Sequence, residues 1–135
     1  MSLLTWNDSL SVGVPQFDEH HKKLIKLVND YVDAIKANKG NEQLIPLIAA
    51  LYDYTLMHFK AEEEFFAKIH YPSTEAHKKE HEGLAKKVLE YHLNIKNNKP
   101  VDSLAVLYFL KDWLMKHINF SDKEYGKFYH EKTTA

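Results

Sequence analysis

Six side chains in this sequence have the types and spacing to hold metal ions: His21, His58, Glu62, His77, His81 and His117. His58 and Glu62 lie four residues apart, as do His77 and His81. On a helix each such pair projects from one face toward one point. Six nitrogen and oxygen ligands exceed what one tetrahedral ion takes, so two metals bridged by carboxylate fit better. Asp122 is a further candidate at an awkward interval, five residues beyond His117. On a regular helix the two side chains would point about 140° apart. Either the helix distorts or ends near Asn119 so that Asp122 turns inward, or Asp122 only caps a short second helix running to about Tyr129.

Ligands spread this widely along a chain need several elements to gather them, and the sequence supplies four. Breaks at Asn38-Lys39-Gly40-Asn41, Tyr71-Pro72-Ser73 and Asn97-Asn98-Lys99-Pro100 separate stretches at roughly 17–37, 42–69, 74–96 and 102–119. Residues 1–16 read as an irregular arm, and Pro46 falls in the first turn of its segment, where a missing N–H does no harm. Apolar residues recur at steps of three and four along each stretch. The seams run Phe17, His21, Leu24, Val28, Tyr31, Ile35; then Leu44, Ile48, Leu51, Thr55, His58, Glu62, Phe65, Ile69. The third is His77, His81, Leu84, Val88, Tyr91, Ile95, and the fourth Leu107, Leu110, Leu114, His117. Such seams predict an all-α, up-down-up-down four-helix bundle with an irregular N-terminal arm and a short C-terminal helix.

The candidate ligands sit on these buried seams, where an unpaired ionisable group costs several kcal/mol. A single buried histidine is more often a hydrogen-bonded core residue than a ligand. Six polar residues distributed over four seams need one shared explanation. The same reasoning sets His20, His70, His92 and His130 off the seams and toward solvent, and it selects Glu62 over Glu63 and Glu64.

Composition narrows the functions. The 135 residues fit a single domain, 1–135, with 44 % apolar residues, 27 % charged residues and a net charge of −1. Without a basic face, nucleic-acid binding is not expected. With no cysteine there is no disulfide, thiolate site or Cys nucleophile. Apolar runs are too short to span a bilayer and the N-terminus carries no secretory pattern, so a cytoplasmic protein is expected. His77-Lys78-Lys79-Glu80-His81 matches the inverted zinc-protease pattern, with Glu80 as base. That reading leaves His21, His58, Glu62 and His117 unexplained and is rejected. No Glu here has a His three residues later, unlike the carboxylate-rich di-iron bundles.

In the order His21, His58-x-x-x-Glu62, His77-x-x-x-His81 and His117-x-x-x-x-Asp122, the sequence resembles the hemerythrin family over essentially its whole length. The arm Leu4-Thr5-Trp6 and the run Gly13-Val14-Pro15-Gln16-Phe17-Asp18-Glu19-His20-His21-Lys22 look like its bacterial members in particular. The resemblance implies two iron ions (Fe2+/Fe3+) joined by an oxo or hydroxo group. His77, His81 and His117 would hold one and His21 and His58 the other, with Glu62 and Asp122 bridging. It also implies reversible dioxygen binding on the two-histidine side, within an apolar wall of Phe59, Trp113, Leu114 and Ile118. Imidazole ligands give up less charge than carboxylates, which agrees with a carrier and not an enzyme. Expected functions are oxygen transport, storage or delivery by a monomer. A sensor acting through a separate protein partner, iron storage and nitric oxide binding are the alternatives.

Overall fold

A computed structural model describes residues 4–134; the first three residues of the N-terminal arm lie outside that range. The chain forms α1 (Pro15–Lys36), α2 (Gly40–Ile69), α3 (Thr74–Lys96) and α4 (Ser103–Lys116). A π-helical segment (His117–Asp122) then leads directly into α5 (Lys123–Thr134). No strand occurs among the described residues. Helices joined by short loops must run antiparallel, and α1 packs on α2 and α4 while α2 packs on α3.

Local chemistry explains the helix ends. Pro15 occupies the first turn of α1, and Asp18 ties down the preceding arm by accepting from Val12 N at 2.8 Å and Ser11 Oγ at 2.6 Å. Asn38, His70 and Asn98 adopt positive φ just past α1, α2 and α3, the left-handed step that stops a helix. Asp102 caps α4 by accepting from Leu104 N at 3.0 Å. Two expected details differ. Because α2 starts at Gly40, Pro46 lies in its second turn and not its first. The fourth segment does not stop near Asn119; it distorts and continues, the first of the two readings left open for Asp122.

Two apolar clusters form the core. The larger gathers Leu24, Val28, Ile48, Leu51, Leu84, Val88, Val106, Leu110, Leu114 and Ile118 along the bundle. The smaller holds Val12, Val14, Phe17, Phe66, Ile69, Tyr71 and Tyr125 at the end nearer the arm. The seam named Phe65 here, but Phe66 is the fully buried residue and Phe65 only flanks it. The arm approaches α5 closely at Gly126, where a Cβ would fall 1.8 Å from the Val12 carbonyl oxygen. That contact fixes the rotation of α5 about its axis.

Candidate metal centre

Each helix delivers its polar seam residues between the two clusters. On α1, His21 follows Phe17 by one turn and precedes Leu24. On α2, His58 and Glu62 lie between Leu51 and Phe66, and on α3 His77 and His81 precede Leu84. Asp122 arrives by a different device. A π turn closes its hydrogen bonds five residues apart instead of four, so residues at that interval share a face. Accordingly His117 Nε2 and Asp122 Oδ1 are 3.0 Å apart. Asp122 is fully buried, which is incompatible with a mere helix cap.

All seven candidate residues meet at one place, none more than 3 % exposed. They form two sets, Glu62 with His77, His81 and His117, and His21 and His58 with Glu62 and Asp122. Within each set the ligand atoms lie within 4.8 Å of one another, and Glu62 belongs to both. Glu62 Oε1 is 3.1 Å from both His58 Nε2 and His81 Nε2. Asp122 Oδ2 lies 2.8 Å from His21 Nε2, while its Oδ1 lies 3.0 Å from His77 Nε2. Each carboxylate therefore faces histidines on both sides.

These short distances are not hydrogen bonds. All five Nε2 atoms and all four carboxylate oxygens are buried with no hydrogen-bond partner. Leaving so many polar atoms unpaired would be costly in a core. Cations placed among them satisfy every one, so the donor set fits two metal ions.

The outer nitrogens of His81, His117 and His58 have partners that the seams did not reveal, whereas that of His21 is buried without one. His81 Nδ1 donates to Glu63 Oε2 at 3.1 Å, and His117 Nδ1 to Glu80 Oε1 at 3.4 Å. Ser121 Oγ donates to the same Glu80 oxygen at 2.6 Å. Such acceptors fix the tautomer that leaves Nε2 free for a metal. His20, expected in solvent, is half-buried with its Nδ1 2.8 Å from that of His58. It sits at the edge of a stripe wider than a single seam. His70, His92 and His130 are exposed as expected, His130 lying 2.7 Å from the Gly13 carbonyl.

A cavity adjoins the centre. Its walls include the polar His21, His58, His117 and Asp122 and the apolar Leu24, Leu51, Phe59, Trp113, Leu114 and Ile118. The four residues expected as an apolar wall are thus together. Phe59 stacks on His81 at 3.6 Å between centroids, and Trp113 on His117 at 4.3 Å.

The family model described as the hemerythrin HHE cation binding domain matches residues 12–129. The chain belongs to the hemerythrin family. Bacteriohemerythrin of Stenotrophomonas maltophilia strain R551-3 is 32 % identical over 127 residues, covering 93 % of this chain and 81 % of that one. Bacteriohemerythrin of Pseudomonas aeruginosa strain LESB58 is 35 % identical over 126 residues, covering 93 % and 80 %. A solved wild-type hemerythrin superimposes with a TM-score of 0.85 at 32 % identity, covering 93 % of this chain and 97 % of its own.

Electrostatics in this hemerythrin fold would make metal loading pH-dependent. Burial alone would lower His117, but the Asp122 carboxylate overrides it and, with Glu80 and Glu62, raises the imidazole to about 10. His77 is raised above its ordinary value because Asp122 and Glu62 outweigh its burial. Burial would raise Glu62, yet the surrounding histidines hold it well below the carboxylate range. At pH 7 the metal-free fold therefore keeps a proton on His117, and the same carboxylates make His77 hold a proton more readily than a free imidazole does. A metal must displace such protons. Loading at pH 7 is expected to release at least the His117 proton from each chain, and affinity is expected to fall as pH drops. Calorimetry in buffers of different ionisation enthalpy measures that release; no dependence on buffer would refute it. The sign is opposite for the metal-free fold. The raised His117 stabilises it fully below pH ~6.5, and that contribution is lost as pH rises through about 10.

Proposed function

We propose that this chain, as one domain over residues 1–135, binds dioxygen reversibly at a di-iron centre. His77, His81 and His117 would hold one ion, His21 and His58 the other, with Glu62 and Asp122 shared. The observation that carries the reading is two ligand sets sharing Glu62 beside one cavity with an apolar wall. Two iron ions with an oxo or hydroxo bridge, once bound there, would supply the electrons that dioxygen binding needs.

The chain's own residues supply the rest. Glu63, Glu80 and His20 orient three imidazoles through their outer nitrogens. His20 can accept from His58 Nδ1 because burial, then the neighbouring His58 and His21, lower its pKa and keep it neutral. Phe59, Trp113, Leu114 and Ile118 keep water and acid from the cavity, which reversible binding requires. The role we read is transport, storage or delivery by a cytoplasmic monomer. Among the described residues no helix is long and apolar enough to cross a membrane.

The test is a spectral cycle on the reduced, iron-loaded protein. Air should change the spectrum and removal of oxygen should restore it over repeated cycles. Irreversible oxidation after one exposure would instead favour a redox sensor. Leu114, 6 % exposed, gives the sharper arm. Leu114→Ala is expected to speed decay of the oxygenated protein by on the order of tenfold as water enters. It should also cost about 2–5 kcal/mol of stability. Unchanged decay would show that Leu114 does not seal the cavity.

A further inference from the structure

One polar side chain in the cavity wall is left unexplained by metal binding. Thr55 lines the cavity from α2, one turn ahead of His58, and is 2 % exposed. Its hydroxyl has no hydrogen-bond partner. A helical threonine ordinarily satisfies that hydroxyl on a backbone carbonyl three or four residues earlier. Here it does not. The neighbouring wall is aliphatic, with Leu24, Val28, Leu51, Leu84 and Leu110. Valine has nearly the same shape, so packing and solvation alone would both favour valine at this position.

The unpaired hydroxyl costs nothing only when a cavity occupant pairs with it. The space open to the centre of a water molecule is about 20 Å³, room for one small molecule. His21, His58 and Asp122 line the same space, so Thr55 and the proposed ligands border one cavity.

We propose that Thr55 determines ligand specificity in this cavity by donating a hydrogen bond to a small anion seated there. This rests on the di-iron reading above and adds a residue to it. The hydroxyl favours occupants that accept a hydrogen bond well, such as azide, over poor acceptors such as carbon monoxide. It does so without contributing a metal ligand. Its energetic signature has two opposite signs: it strengthens ligand binding and weakens the empty fold.

The test compares wild type, Thr55→Val and Thr55→Ser as iron-loaded, oxidised protein, with azide titrated by absorbance and thermal unfolding measured without azide. Thr55→Val is expected to weaken azide about tenfold, the loss of one hydrogen bond. Thr55→Ser, which keeps the donor, should stay within about threefold. The unfolding temperature of azide-free Thr55→Val should match or exceed that of wild type. Equal azide affinity in Thr55→Val and wild type would overturn the proposal. So would a lower unfolding temperature of Thr55→Val, since the protein itself would then be using the hydroxyl. If wild type binds iron but neither azide nor oxygen, the dioxygen-binding reading itself fails and takes this proposal with it.

Discussion

Glu62→Ala is expected to lose both metals, with iron falling from about two per chain to less than one after reconstitution. Glu62 is fully buried and belongs to both ligand sets. Its Oε1 faces His58 on one side and His81 on the other, each at 3.1 Å. Removing it therefore takes away the residue common to both sets and leaves Asp122 alone among five buried imidazoles. Removing one member of a buried ionic group costs about 3–5 kcal/mol, because its partners stay desolvated without compensation. For a domain of this size that lowers the unfolding temperature by roughly 10–20 °C. Lost metal adds to the deficit, since an ion bound only by the native state stabilises it by mass action. Glu62→Gln keeps the shape and one oxygen, so it should fall between the two. Glu64→Ala, two residues away and exposed, should keep two irons and stay within about 0.5 kcal/mol of wild type. Elemental analysis and circular dichroism on the three variants decide the matter. Two irons per chain in Glu62→Ala would remove Glu62 from the centre.

Most of this arrangement was legible because burial and helical period act on the same residues. The seam holding Leu24 and Val28 also holds His21, so the residues that build the core also mark the polar group among them. That logic assigns each residue to one face, and its failures share that origin. Glu63 and Glu80 lie off the seams, yet both reach an imidazole's outer nitrogen. The outer nitrogen of a ligand histidine points back toward the bundle's rim, where a half-exposed carboxylate can meet it. Periodicity carries no signal for such a residue. The useful clue would have been an acid beside the seam, flanking Glu62 or within the turn between His77 and His81. His20 was missed for a related reason, since a stripe has width and its margin is half-buried. Phe66 displaced Phe65 because Val12, Val14 and Tyr125 close that end of the bundle, and no single-helix pattern contains the arm. The interval from His117 to Asp122 was recognised as irregular, but a distorted and a broken helix give the same sequence signature there.

Inserting one alanine between Asn119 and Phe120 is expected to destroy the centre, whereas deleting Phe120 is expected to preserve it. A π turn is an α turn with one residue added, so its loss need not move the helix beyond it. After deletion of Phe120, Asp122 stands four residues beyond His117, an interval that a regular helix sets only about 40° apart. Asp122 then still faces inward, and α5 keeps its place with Gly126 against Val12. Phe120 is 73 % exposed, so losing its side chain removes little packing. Insertion does the opposite. At six residues the two side chains point about 120° apart on a regular helix, and the π turn has already used its one extra residue. If α5 keeps its rotation, Ser121 enters the place of Asp122, Glu124 that of the fully buried Tyr125, and Tyr125 that of Gly126. The last exchange is forbidden, because any Cβ there meets the Val12 carbonyl oxygen at 1.8 Å. The C-terminal helix must therefore detach from the arm, exposing Tyr125 at a cost of about 3–5 kcal/mol. Iron in the insertion variant should fall to one per chain or less, and its unfolding temperature by roughly 10 °C or more. The deletion variant should keep two irons, and Phe120→Ala should match wild type. Loss of both metals on deletion, with retention on insertion, would show that the π turn does not set the register of Asp122.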